Sequence, residues 1–303
     1  QARLHVDGGT ASEALARLAR LASWLDSCRN QFFLPVAVLL MVPSIVTMAM
    51  ARWHARYGSH VESWFAAVGE CEALVSFSVY RFEQPDLPFP TLADDGPVFQ
   101  AEALRHPLIH GDVAVPNDVA LGSDAPHVLV VSGSNMSGKS TLLRTIGTAV
   151  VLARAGAPVR ATSARLSRLR LGSALHVSDS LADGHSRFYA EILRLRSVVE
   201  AARDAGPVLF LLDEILAGTN SHDRRVGAEA VLASLARHGA IGLVTTHDLA
   251  LTAVVERLGV RAANVHFEDR LEQDRMVFDY RMRPGVVTHS NALALMRAVG
   301  LDV

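Results

Sequence analysis

Nine consecutive residues, Gly133-Ser134-Asn135-Met136-Ser137-Gly138-Lys139-Ser140-Thr141, hold the densest chemistry in the chain. Their spacing is that of a G-x-x-x-x-G-K-[ST] phosphate-binding loop. The glycines allow backbone N–H groups to close around phosphate oxygens. The start of a following helix adds a dipole that favours anions. Lys139 is spaced to reach β- and γ-phosphates, and the Ser140 hydroxyl to hold Mg²⁺. The apolar run Val128–Val131 precedes the loop and Leu142–Ile146 follows it. Strand, loop and helix in that order imply binding of a nucleoside triphosphate.

A second apolar run, Pro207–Leu212, ends in two adjacent carboxylates, Asp213 and Glu214. Acids at a buried strand end are costly unless they meet a cation or do chemical work. Asp213 is placed to hold Mg²⁺, directly or through water, and Glu214 to orient and deprotonate an attacking water. A third run, Ala240–Thr246, ends at His247-Asp248, where an imidazole can sense or stabilise a γ-phosphate. Asp179 to Phe188 precedes an amphipathic stretch. From the residues alone, Gly184 and Ser186 there mark a helix start, with Glu191 in the early turns.

These residues need a scaffold that gathers strand ends. From Pro97 onward, short apolar runs (Val128–Val131, Val208–Leu212, Ile241–Thr245) alternate with helical patterns at Lys139–Ala155, Ser186–Ala205 and Asp223–His238. The alternation predicts an α/β fold with a parallel or mixed sheet covered on both faces. Ligands of such sheets sit beyond the carboxyl ends of the strands, where all three motifs fall.

The first ninety residues read differently. Thr10–Leu25 and Trp53–Val79 show helical spacing. Three prolines within 85–90 mark a boundary. The expected organisation is therefore a helical segment over 1–90 and an α/β domain over 97–303. Between the helices, 30–51 carries no charged residue and is long enough to cross a bilayer. Pro35, Pro43 and the flanking Arg29 and Arg52 argue instead for a buried helical bundle. We expect the bundle, with a membrane span as the alternative.

In all, 303 residues, half of them hydrophobic, suffice for a large core. The formal charge of −2 announces no nucleic-acid field. Five arginines without an acid lie between Arg154 and Arg170, either a solvated basic face or a surface for a polyanion. Cys28 and Cys71 have no metal-ligand spacing and suit reduced thiols in a cytoplasmic chain. The chain starts at Gln1, without Met or a visible signal peptide, and reads as part of something longer.

Taken together, the motifs resemble the ATPase domain of the MutS family of DNA mismatch-repair proteins, from about His106 to Leu301. His106-Pro107 and Val115–Asp118 resemble the start of that domain, and Asn135-Met136 is a family mark within the loop. Asp213–Ser221, Thr246-His247 and the Asp179–Glu191 segment resemble three further family motifs, in order. The resemblance implies an ABC-like P-loop NTPase acting as a homodimer with two composite sites, using ATP and Mg²⁺, with DNA as partner in mismatch repair or recombination. Lys139, Ser140, Asp213, Glu214 and His247 would serve one nucleotide in cis. Ser186 would reach the partner's nucleotide in trans. The helical segment would be a remnant of the family's core and lever region. The Ser-Gly-Gly signature of ABC transporters and cohesin-type ATPases is not found. Ser137 stands where the family has glycine and Ser134 where it has proline, changes that keep the phosphate-binding backbone groups. No Phe-x-Glu wedge for probing a mismatch is found. The chain stops at Val303, where the family's longer extension is expected, so a shortened relative is the reading.

Overall fold

The computed structural model describes residues 4–6, 9–28, 30, 32–111, 113–175, 187–204, 206–272 and 275–287. The chain divides into two compact units, Gln1–Gln84 and Pro85–Val303.

The first unit opens with the short strands β1 (His5–Val6) and β2 (Gly9–Thr10), followed by helices α1 (Ala11–Ser27), α2 (Leu34–Leu39) and α3 (Val42–Glu83). Thr10 and Glu13 form a reciprocal capping box that starts α1. Ala11 and Ala14 of α1 pack against Tyr57 and Trp64 of α3, and Trp53 Nε1 donates to Ala14 O at 2.7 Å. Small residues on one helix thus let aromatic rings of the other approach closely.

Residues 30–51 follow neither expectation in full. Pro35 and Pro43 sit in the first turns of α2 and α3, where a missing N–H costs nothing. Between them Met41 adopts a left-handed φ of 51° and breaks the helix. Ala37 and Val46 are buried, but Phe32, Leu39, Leu40, Met41, Ile45 and Met48 are exposed on this unit. The uncharged stretch is therefore α2 and the first turns of α3, broken at Met41 and largely exposed on this unit, and not a buried bundle. Among the described residues, no helix is long and apolar enough to cross a membrane.

The second unit runs β3 (Thr91–Ala93), β4 (Val98–Leu104), β5 (Asn117–Gly122), β6 (Val128–Ser132), α4 (Lys139–Arg154), β7 (Ser163–Ser167), β8 (Arg170–Ala174), α5 (Arg187–Arg203), β9 (Val208–Asp213), α6 (Ser221–Arg237), β10 (Ile241–Thr246), α7 (Val254–Leu258), β11 (Ala262–Glu272) and β12 (Arg275–Pro284). Six strands form a mixed sheet in the order β12-β11-β6-β10-β9-β8, parallel except for the antiparallel β11–β12 pair. Four more form a second sheet, β3-β7-β4-β5.

Alternation along the central strands separates two cores. Leu129, Val131, Leu209, Leu211 and Leu243 join α4 residues such as Leu143 and Ile146, and reach Phe99, Leu121 and Leu166 of the second sheet. Val128, Val130, Phe210, Leu212 and Val244 face Leu195 and Val198 of α5 and Leu232 and Leu235 of α6. Burial on both faces is why these strands read as unbroken apolar runs.

Gly242 sits mid-strand in β10, in register with Phe210 of β9 and Val128 of β6. A Cβ there would lie 2.0 Å from Phe210 O and 2.6 Å from Phe210 Cγ. The ring of Phe210 occupies the space a side chain would need. Gly242→Ala should therefore destabilise the protein by about 3 kcal/mol or more, lowering Tm by roughly 6–12 °C. Melting within about 2 °C of the wild type would contradict this packing.

Candidate active site

The central strands end together. β6 stops at Ser132, β9 at Asp213 and β10 at Thr246. Beyond β6 the chain turns through Gly133 and Gly138, with φ of 151° and 107°, and enters α4 at Lys139. Only glycine adopts such angles without strain. A Cβ on Gly133 would also lie 2.9 Å from Ser137 Oγ and 3.0 Å from Phe267 O. The loop therefore lies on β11.

Lys139 is 4% exposed, and its Nζ donates to Gly133 O at 2.9 Å and Ser134 O at 2.8 Å. Glu214 Oε1 lies 3.4 Å away. Burial pushes the Lys139 ammonium below its ordinary pKa, and the carboxylates of Glu214 and Asp213 pull it back up. Glu214 Oε2 lies 3.4 Å from Nδ1 of His247, which is half exposed.

In a regular strand Asp213 and Glu214 would point to opposite faces. They line one cavity because β9 ends at Asp213 and Glu214 takes a left-handed φ of 47°. The Glu214 N–H donates to Thr245 Oγ1 at 3.0 Å, and that hydroxyl donates to Asp213 Oδ1 at 2.5 Å.

The cavity measures about 950 Å³. Asn135, Met136 and Gly138–Thr141 line it together with Asp213 and Glu214. Gly133, Ser134 and Ser137 do not, and the hydroxyls of the two serines are buried without a hydrogen-bond partner among the described residues. His247 is not part of the wall and touches the site through Glu214. Ser186, with Asp179–Gly184, lies outside the described residues. The helix that follows is present as α5, and Phe188 and Glu191 line the cavity. Glu191 is buried, and its Oε1 accepts from the backbone N–H of Leu216, which ties α5 to the segment after Glu214.

Several wall residues escaped the motif reading. Arg105, His106, Ile109 and Val113 form one side, and Tyr280 of β12 another. Arg160 holds the first of these, donating to His106 O at 3.0 Å and to Ile109 O. Burial, with Arg144 and Arg160 nearby, lowers the pKa of His106. Asn117 joins β5 to β12 by donating to Tyr280 O at 3.0 Å and accepting from Met282 N at 2.6 Å. Of these, His106 and Asn117 carried a sequence signal, in His106-Pro107 and Val115–Asp118, whereas Arg105, Ile109, Val113 and Tyr280 did not.

The arginine-rich stretch does not form one solvated face. Arg160 serves the wall loop, Arg165 pairs with Asp95 at 2.7 Å, and Arg170 reaches Ala201 O and Asp204. Both cysteines are free thiols, Cys28 buried and Cys71 exposed.

No group of three or more His, Cys, Asp or Glu among the described residues could hold a metal. Ser140 and Asp213 both face the cavity. One hydroxyl and one carboxylate suit Mg²⁺, which keeps several waters and takes its other oxygens from phosphates. Together with a lysine at a helix start, this donor set fits a magnesium-bound polyphosphate rather than an all-protein metal cage.

Comparison with known proteins identifies the family. The family model for MutS domain V matches residues 129–302. The DNA mismatch repair protein MutS 2 of Halobacterium salinarum is 36% identical over 241 residues, covering 78% of this chain and 27% of that protein. The DNA mismatch repair protein MutS of Salinibacter ruber is 32% identical over 228 residues, covering 72% of this chain and 25% of its own. That of Rhodopirellula baltica is 34% identical over 220 residues, covering 71% and 24%. The chain thus spans about a quarter of the length of the curated relatives it matches. It belongs to the MutS family, with residues 129–302 as its counterpart of domain V.

Proposed function

We propose that this chain binds and hydrolyses ATP with Mg²⁺ as an ABC-like P-loop NTPase, and that it works on DNA in mismatch repair or recombination as a nucleotide-gated homodimer. The observation that carries the reading is the convergence of Lys139, Ser140, Asp213 and Glu214 on one cavity at the ends of β6 and β9. In it, the backbone of 133–138, with Thr141, cradles the phosphates, and Lys139 leaves its carbonyl partners and Glu214 to pair with them. Ser140 and Asp213 would hold Mg²⁺, which would supply charge neutralisation to the bound phosphates. Glu214, released from Lys139, orients water and takes its proton, and His247 stays beside it to meet the γ-phosphate.

Residues 97–303 form the ATPase domain in this reading, and 1–90 the remnant of the core and lever. Ser186 completes the partner's site in this reading, as the family resemblance implies. DNA comes to this chain from the names of its relatives. Closure of the dimer on ATP would move any clamp built on the helical unit.

The test is the ATPase rate of the full chain with homoduplex, mismatched, branched and single-stranded DNA. We expect one structure to stimulate turnover severalfold and so name the substrate class. Hydrolysis indifferent to all four would keep the ATPase and remove the DNA assignment.

A further inference from the structure

We infer that Thr245 is a positioning residue that sets both carboxylates of the site at once. Parallel pairing of β10 with β9 puts Thr245 in register with Asp213, and pairing with β6 puts it in register with Val131. The residue is completely buried. Its hydroxyl has one proton and two lone pairs. The proton goes to Asp213 Oδ1 at 2.5 Å, and a lone pair accepts the Glu214 N–H at 3.0 Å.

Each bond does a separate job. The first fixes the rotation of a carboxylate that lines the cavity, so that its other oxygen is presented in one direction. The second satisfies the amide that β9 gives up when the backbone turns at Glu214 to a φ of 47°. That turn lets Glu214 lie 3.4 Å from both Lys139 and His247. Without the hydroxyl, the Glu214 N–H loses its acceptor, and the acid can relax toward the opposite face of the sheet. Valine has the same shape and no hydroxyl. Serine keeps the hydroxyl and loses a methyl.

The inference rests on the ATPase reading for its kinetic arm, while its metal arm does not need turnover. In the metal arm, Mn²⁺ is titrated by electron paramagnetic resonance into the full chain with a non-hydrolysable ATP analogue. Thr245→Val should weaken Mn²⁺ about tenfold, in line with the usual cost of losing an outer-shell partner, and Thr245→Ser by no more than about threefold. In the kinetic arm, Thr245→Val should lower kcat by about 10–100-fold, leave KM for ATP within about threefold, and be largely rescued by serine.

Mn²⁺ binding to the valine variant as to the wild type would overturn the inference. So would equal losses in the serine and valine variants, or no Mn²⁺ bound by the wild type with nucleotide. A wild type that binds Mn²⁺ through a Thr245-dependent site yet releases no phosphate would sink the ATPase reading alone. Should Thr245→Val fail to fold, Thr245→Ala paired with Thr245→Ser makes the same comparison.

Discussion

Replacing Lys139 with alanine is expected to weaken ATP binding by about two to three orders of magnitude. A lysine at this position offers charge-assisted hydrogen bonds to phosphate oxygens, each contributing about 1.5–3 kcal/mol. Two such bonds lost correspond to at least about a hundredfold in Kd. The present partners of Nζ are two loop carbonyls and Glu214. These are contacts the ammonium can exchange for phosphate. Its burial makes the charge costly until a polyanion arrives, which favours that exchange. The effect is read by titrating a fluorescent ATP analogue, with circular dichroism as a check on folding. Affinity within threefold of the wild type, on the order of 0.6 kcal/mol, would remove Lys139 from the phosphate site.

Much of this site can be read from residue types and spacing. The phosphate loop, the paired acids and the strand-end histidine each follow an apolar run, and all three runs became neighbouring parallel strands. Val128–Val131, Val208–Leu212 and Ile241–Thr245 lie within one residue of the observed β6, β9 and β10. Burial on both faces explains why those runs stood out. The second sheet did not. Val98–Leu104 carries Gln100 and Glu102, and Asn117–Gly122 is short and opens on two polar residues. Their strand character comes from pairing with each other and β7, a long-range effect that local pattern does not encode. Arg105, Ile109, Val113 and Tyr280 were invisible for the same reason. They join the site through Asn117 and Arg160, whose partners are far away in sequence. Thr245 was counted only as a strand residue, because its role depends on register with Asp213. The uncharged 30–51 stretch misled in another way: absence of charge predicted burial, whereas Met41 breaks the helix and leaves much of the stretch exposed.

The second large effect is expected at Glu214. Glu214→Gln keeps the size and hydrogen-bonding reach of the side chain but cannot take a proton from water. General-base catalysis contributes about 10²–10⁴-fold, so kcat should fall by about a thousandfold while ATP affinity stays near that of the wild type. The substitution also removes the carboxylate that raises the Lys139 pKa, which lowers that pKa further. With ATP bound and not turned over, the variant should accumulate as a closed dimer, seen as a shift to higher mass in size-exclusion chromatography with light scattering. Normal hydrolysis by Glu214→Gln would show that another group activates the water.

The most direct test of the central claim is phosphate release by the purified full chain with Mg²⁺ and ATP, with Lys139→Ala measured in parallel. The account predicts many turnovers by the wild type and none above background in the variant. Phosphate release by the wild type no faster than by Lys139→Ala, with or without DNA, would contradict it.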